Sequence, residues 1–170
     1  MLEALPSAVG DLGLVDYCVT GHSGSSSRIP FVDFGDGKPS NEKQRMEILE
    51  KIKAHAQYSL SGDNTIPAIN QAVGDLQAGT CSKENTDRFV LVVSDANFDR
   101  YGISPQVLSQ ALTQDERVQV HAIFIASFGE EAQNVVKSMP AGRTHLCFET
   151  TSIPSVFRSI LTSRGGVLET

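Results

Sequence analysis

The sequence lacks the features that mark several common classes of protein. It contains no tryptophan, and its 170 residues carry a net charge of −6 without any cluster of lysine or arginine. Without a basic patch, a nucleic acid or an anionic membrane is not expected as a partner. The longest apolar runs have the length of strands and are far too short to cross a bilayer. The first residues include an acid and no basic segment, so no targeting peptide is predicted.

Cysteine is scarce and widely spaced. Cys18, Cys81 and Cys147 form no Cys-x-x-Cys motif, so we expect no zinc site and a reducing, intracellular location. Cys18 and Cys147 lie in apolar stretches and are predicted to be small core residues. The glycine-rich motifs Gly-x-Gly-x-x-Gly and Gly-x-x-x-x-Gly-Lys-Ser/Thr are also missing, which argues against a nucleotide site in this sequence.

The predicted fold is organised around one apolar stretch that ends in polar residues. Phe89 to Val93 is an unbroken apolar run, and Ser94, Asp95 and Asn97 follow it. Such a run predicts a strand that is buried on both faces, as in a parallel sheet covered by helices. Ligands of open parallel sheets bind beyond the carboxyl ends of the strands. Asp95 is therefore predicted to lie at a binding edge of the sheet.

The rest of the sequence alternates between strand and helix patterns. Strands are predicted at 14–20, 29–34, 88–94, 118–126 and 145–148, with a flexible polar loop at 21–27. Helices are predicted after the caps Asn41, Thr65, Ser104 and Ser152 and from Glu130, and Val107 is predicted to face inward. The alternation predicts an α/β protein with a doubly wound, mostly parallel sheet. We expect one domain at 1–165 and a disordered tail at 166–170.

The first candidate site is an oxygen-ligand metal site. Thr65 and Asp95 each lie where a loop meets a regular element, and Ser23, Asp63 and Asn97 are candidates for its rim. Hydroxyls, a carboxylate and water are the ligands that a hard cation such as Mg²⁺ prefers. The simpler alternative is that Thr65 only caps a helix and Asp95 only belongs to a loop, and the spacing by itself favours this alternative.

A serine hydrolase is a weaker candidate. Gly21-His-Ser-Gly-Ser25 approaches the Gly-x-Ser-x-Gly motif, and Ser23, Asp95 and a later histidine would keep the order of a catalytic triad. That motif requires a strand, a sharp turn and a helix, whereas this loop continues into a strand-like stretch at 29–34. We therefore expect Ser23→Ala to leave any esterase activity unchanged. His22, His55 and His145 show no ligand spacing and are predicted to lie at the surface or rim.

Several motifs resemble the von Willebrand factor A domain family. They are Ser61-Gly-Asp-x-Thr65, Val93-Ser-Asp-Ala-Asn97 and Arg100-Tyr-Gly-Ile103. The resemblance covers most of the sequence and implies a Rossmann-like fold with a metal-ion-dependent adhesion site. By this resemblance, Thr65 and Asp95 match two family residues that help to hold Mg²⁺, directly or through water. A protein partner would complete the metal shell with an acidic residue, at the metal site or the rim of the sheet.

One family motif has no counterpart here. The family carries Asp-x-Ser-x-Ser after its first strand, and the stretch 24–27 lacks the aspartate. We therefore expect a domain that lacks its first strand, either aggregates or pairs its two inner strands directly, and keeps a partial metal site. Its expected role is that of a protein-interaction module and not of an enzyme. Alternatively, it is the C-terminal module of a large ATPase of the AAA+ type, mostly mitochondrial, with nucleotide sites upstream.

Overall fold

A computed structural model describes residues 15–35, 38–58, 62–78, 87–95, 97–125 and 130–163. These residues fall into two compact units, one within Leu12–Glu84 and the other within Asn85–Thr170, here called the N-terminal and the C-terminal unit. Cys81 and the predicted tail at 166–170 lie outside the described residues.

The N-terminal unit contains an antiparallel hairpin of β1 (Val19–Ser23) and β2 (Ser26–Val32). The prediction of a flexible loop at 21–27 is therefore wrong, because only Gly24 and Ser25 form the turn and the other residues belong to the strands. The Ser23 and Ser25 hydroxyl oxygens lie 3.2 Å apart, so the polar side chains interact across the turn. The first strand also begins later than predicted, at Val19.

Helix α1 (Glu42–Tyr58) begins directly after the predicted cap, Asn41. Asn41 Oδ1 accepts a hydrogen bond from the Gln44 amide at 3.0 Å, which confirms the cap. In return, Gln44 Oε1 accepts from the Ser40 amide at 2.7 Å, so that two free donors at the helix start are satisfied. The helix places Ile48 in a small apolar cluster with Val19 and Val32 of the hairpin.

Helix α2 (Thr65–Gln77) buries one apolar stripe made of Ile69, Val73 and Leu76. Thr65 is its first helical residue, and Asn64 occupies the cap position. The prediction that Thr65 caps this helix is therefore wrong. The Thr65 hydroxyl donates to the Asp63 carboxylate and is not directed to the helix amides.

The C-terminal unit contains a parallel sheet in the order β3 (Arg88–Ser94), β4 (Val118–Ile125), β5 (Thr144–Cys147). Three helices follow these strands in turn, namely α3 (Pro105–Leu112), α4 (Glu130–Lys137) and α5 (Ile153–Thr162). The alternation of parallel strands and helices confirms the predicted α/β, Rossmann-like fold class.

The most buried strand is β4 and not β3. Every residue from Val118 to Phe124 is buried, whereas β3 is half-buried along its whole length. The middle position explains this difference, since β4 has a paired strand on each side. Neighbouring residues point to opposite faces of a sheet. Ile123 accordingly packs in a cluster with α5, and the Phe124 ring contacts that of Phe98 with centroids 5.6 Å apart.

Two of the predicted features of the C-terminal helices are wrong. Ser104 caps α3 as predicted, because its Oγ accepts from the Val107 amide at 3.4 Å. Val107 itself is 43% exposed, since Leu108 and Ala111 occupy the inward face. Ser152 does not cap α5, because its hydroxyl donates to the Glu149 carbonyl at 2.6 Å and belongs to the 3₁₀ turn Thr150–Ser152.

The described cysteines are both free thiols. Cys147 is buried in the α5 cluster, which confirms it as a core residue, and Cys18 is half-buried. Among the helices that the structure describes, none has the length and apolar character needed to cross a membrane.

Candidate functional site

The turn of the hairpin lies against the loop that precedes α2. The Asn64 side-chain amide donates to the Ser23 carbonyl at 2.6 Å. Gly62 has a φ of +137°, and a Cβ built on it would lie only 2.6 Å from the Cα of Gly24. A side chain on residue 62 would meet this backbone, and its positive φ is strained for any other residue, so glycine is needed at position 62. The close approach brings the polar side chains of the hairpin next to those of the loop.

A buried hydroxyl joins these two segments. Thr65 is only 1% exposed. Its Oγ1 donates to Asp63 Oδ2 at 3.0 Å, and its amide donates to Asp63 Oδ1 at 2.6 Å. His22 Nε2 lies 3.4 Å from the same Oγ1. Because the single hydroxyl proton of Thr65 faces Asp63, the Nε2–H of His22 is the donor in this second contact.

The second histidine of this unit holds the first in place. His55 Nε2 donates to the His22 carbonyl at 3.1 Å. Burial lowers the pKa of His22, while the Asp63 carboxylate acts in the opposite direction and His55 adds to the lowering. The His22 imidazole is therefore favoured in its neutral form. Sequence reasoning missed this role, because residues 22, 55 and 65 lie on three different elements with no fixed spacing between them.

The predicted metal residues fall into two groups. Ser23, Asp63 and Thr65 lie around the hairpin turn of the N-terminal unit. Asp95 and Asn97 follow β3 in the C-terminal unit, where Asp95 Oδ1 accepts from the Asn97 amide at 3.2 Å. A cation shared by Thr65 and Asp95 therefore stays a prediction.

The donors of the first group fit a hard cation in their chemistry. They are the hydroxyls of Ser23, Ser25 and Thr65 and the carboxylate of Asp63, and such oxygens with added water suit Mg²⁺. Within the part of the chain that is described, no three His, Cys, Asp or Glu side chains converge to hold a metal ion. Asp63 is thus the charged side chain of this group, and the other oxygens are hydroxyls.

The geometry gives no support to the hydrolase alternative. Ser23 ends a strand that turns directly into a second strand, and not into the helix that a nucleophile elbow requires. The Thr65 hydroxyl donates its proton to a carboxylate, whereas an activated nucleophile donates to an imidazole.

A second polar group is buried in the C-terminal unit. His121 Nδ1 and His145 Nε2 lie 3.3 Å apart, and Arg143 lies beside His121. Burial, then the neighbouring His145 and Arg143, lower the pKa of His121 to about 4. His145 had been predicted at the surface or rim, yet it is half-buried in this pair. The sequence did contain a signal: each histidine precedes a core residue, Ile123 or Cys147, by two positions and therefore shares its face of the sheet.

Comparison with known proteins shows an extended similarity. The chain is 39% identical over 147 residues, which is 86% of its length, to von Willebrand factor A domain-containing protein 8 of Mus musculus. The match spans only 8% of the mouse protein. No family model and no solved structure matches the chain. The similarity supports a protein-interaction module. By this identity and its α/β fold, the chain is related to the von Willebrand factor A-type domains.

Proposed function

We propose that this chain is a protein-interaction module that binds an acidic residue of its partner through a divalent cation held beside Thr65. The observation that supports the proposal best is that Ser23, Asp63 and Thr65 lie together at one hairpin turn. A hydrogen bond from Asn64 to the Ser23 carbonyl holds this turn against the Asp63 loop. In this proposal Asp63 supplies negative charge and Thr65 a hydroxyl oxygen. The share of Asp95 in the site stays the prediction made from the sequence.

The charge of the chain agrees with a cation-dependent contact. Its net charge of −6 repels an acidic partner at long range. A bound Mg²⁺ with an open position would replace that repulsion with a direct bond to the partner carboxylate. The proposed interaction is therefore lost when a chelator removes the cation, whereas an ordinary ion-pair interface would not respond to it.

Calorimetric titration of Mg²⁺ tests the cation site. We expect Asp63→Asn, Thr65→Val and Asp95→Ala each to weaken Mg²⁺ binding by about tenfold or more, as the loss of a ligand does. Thr113→Val is the matched control, because Thr113 is an exposed threonine whose hydroxyl donates to the Ser109 carbonyl. Undiminished binding by Asp95→Ala would remove Asp95 from the site, and no binding by the unmodified chain would contradict the cation itself.

A second candidate function follows from the short span of the match. Since the matched part is 8% of the mouse protein, the chain is also proposed to act as a module of a much larger polypeptide. There it would couple ATP hydrolysis in AAA+ domains elsewhere to the bound partner, in mitochondria. Mass spectrometry of the endogenous polypeptide, captured through the region of α5, would test this. A mass near 18.3 kDa would contradict it.

A further inference from the structure

We infer that the open edge of β3 is a docking site for a second copy of this chain, with the two β3 strands paired antiparallel. The inference does not depend on the cation proposed beside Thr65, since it concerns the backbone of the C-terminal unit. Within the described residues, β3 is hydrogen-bonded on one side only, to β4. Strands β1 and β2 form a sheet of their own, so the direct pairing of inner strands that was expected from the sequence is not present among these residues.

The hydrogen-bond pattern identifies the backbone groups of β3 that point away from β4. The Ala122 amide donates to a carbonyl at the start of β5 at 2.9 Å, so Ala122 faces β5. Alternate residues of a strand face opposite neighbours, so His121 faces β3. In a parallel pair, the residue opposite one that faces across is itself turned outward, and Leu91 lies opposite His121. The N–H and C=O groups of Leu91, and those of Phe89 and Val93, therefore lie along the open edge.

The two edges of this sheet differ in how they are protected. Strand β5 has only 4 residues, and Arg143 and His145 place polar side chains along it. Short length and charge are ordinary defences of an edge strand. Strand β3 pairs with β4 over 7 residues without a register shift, and neither proline nor a charged residue interrupts Phe89–Val93. A long, flat and apolar edge of this kind is a template for pairing with another strand.

The burial of β3 agrees with a missing neighbour. Strand β4 is buried from Val118 to Phe124, because strands pair with it on both sides. Strand β3 is half-buried at every position, although its side chains are equally apolar. Since side chains of neighbouring strands cover one another, a further strand at the open edge would cover both faces of β3. That strand must itself be apolar on both faces, as β3 is.

The sequence of β3 is complementary to itself. In an antiparallel pair centred on Leu91, this residue lies opposite its own copy, and Phe89 lies opposite Val93. Val90 then lies opposite Val92, so that every apolar side chain meets an apolar one. The open-edge residues also face one another in this register, and each exchanges both of its backbone hydrogen bonds with its partner. Such a two-fold contact uses the same surface on both copies and closes at the dimer.

The charges at the ends of β3 act against this pair. Asp87 and Asp95 are exposed and flank the strand, and the same register places Asp87 of one copy opposite Asp95 of the other. Like charges that lie directly opposite each other are destabilising. We therefore expect added salt to tighten the dimer, and Asp87→Asn to lower its dissociation constant by about two- to tenfold. Asp87 is the residue to change, because Asp95 is also a predicted cation ligand.

Sedimentation velocity of the full chain over a range of concentrations tests the dimer. We expect a shift from 18.3 kDa to twice that mass. Larger species are not expected, since the β5 edges of the dimer are short and polar. A chain that stays at 18.3 kDa up to about 1 mM, or that forms open-ended aggregates, would overturn the inference.

Two variants of Leu91 assign the dimer to backbone pairing. Leu91→Pro removes the N–H at the centre of the open edge but leaves the β4 ladder, which uses the amides of Val90 and Val92. This variant should be monomeric. Leu91→Ala is the matched control, because it removes the same apolar side chain and keeps the N–H, so it should still form the dimer. Dimers in both variants, or in neither, would contradict the backbone pairing.

Hydrogen exchange in the unmodified chain covers the case in which Leu91→Pro does not fold. The amides of Phe89, Leu91 and Val93 should exchange more slowly by about tenfold or more where the dimer forms. The amides of Val90 and Val92 are bonded to β4 in either state, so their exchange should not depend on concentration. Rates that are independent of concentration at all of these positions, or that fall equally at all of them, would show that no strand pairs with this edge.

Discussion

The two units of the molecule differ in what fills their interiors. In the C-terminal unit, β4 is buried from Val118 to Phe124, and Ile123 packs in an apolar cluster with Phe157. In the N-terminal unit the hairpin and α1 form a small apolar cluster around Ile48, and α2 buries a separate apolar stripe. A polar network around Thr65 lies at the end of the hairpin. The comparison teaches that the C-terminal unit is built on one fully buried strand, whereas the N-terminal unit combines apolar burial with hydrogen bonds and close backbone contact.

The largest effect is expected from a cavity in the C-terminal cluster. Phe157 is 1% exposed and lies among Ile123, Cys147 and Ile160. Phe157→Ala removes a buried aromatic ring, so the free energy of unfolding should fall by about 3 to 5 kcal/mol. Urea denaturation measures this loss, and hydrogen exchange should show it in the amides of β4.

Phe148→Ala is the matched control for this cavity. Phe148 lies in the same unit but is 61% exposed, so its truncation should change the free energy of unfolding by about 0.5 kcal/mol or less. Equal losses in the two variants would contradict the assignment of apolar stability to the α5 cluster.

The next effect concerns acid stability of the same unit. Burial and the neighbouring His145 and Arg143 lower the pKa of His121 from 6.5 to about 4 in the folded chain. The unfolded chain therefore binds more protons between these values, and stability is lost as the pH falls from about 6.5 to about 4. The slope is at most about 1.4 kcal/mol per pH unit. His121→Gln should show a flatter decline in urea midpoints between pH 7 and pH 4.

The contribution of His121 is the difference between the two pH series. Burial also lowers the pKa values of His22 and His145, so the variant should retain a shallower decline. Identical series for the variant and the unmodified chain would show that His121 titrates at its ordinary pKa and is not buried.

In the N-terminal unit the corresponding test adds a single methyl group at Gly62. Gly62→Ala places a Cβ 2.6 Å from the Cα of Gly24 at a φ of +137°. We expect a loss of about 1 to 3 kcal/mol in the free energy of unfolding, because backbone must move to relieve the contact. The same shift should separate the hairpin from the Asp63 loop and weaken cation binding.

Gly74→Ala provides a control of opposite sign. Gly74 lies within α2, and a Cβ built there has no other atom within 4 Å. Alanine in a helix interior is better than glycine by about 0.5 to 1 kcal/mol, so this variant should be more stable than the unmodified chain. A loss in Gly74→Ala similar to that in Gly62→Ala would show that the hairpin contact has no special role.

The sequence predicted best where one pattern decides the structure. The apolar run at Val118–Ile125 and the alternation of elements gave the strands and the fold class of the C-terminal unit. The sequence analysis wrongly predicted β3 to be the most buried strand. Burial depends on which strand lies in the middle of the sheet, and apolar runs do not encode strand order. Only pairing with a strand on each side made β4 the buried one.

The candidate site was predicted in part. Thr65, Asp63 and Ser23 were recognised as oxygen donors near loop ends, and the structure brings them together. His22 was missed, because its role depends on a two-residue turn that carries it across to Thr65. The sequence predicted a long loop there, since serine and glycine are common in turns of any length.

The smallest effect on stability is expected at two predicted helix caps, Asn41 and Ser152, which the sequence could not distinguish. Asn41 and Ser152 both precede helices and both are preferred cap residues. Only Asn41 accepts a hydrogen bond from a helix amide, whereas Ser152 donates to the Glu149 carbonyl. Asn41→Ala should therefore lower the free energy of unfolding by about 1 kcal/mol, and Ser152→Ala by less. Thermal unfolding of the two variants measures this, and a larger loss in Ser152→Ala would mean that its hydroxyl caps α5 after all.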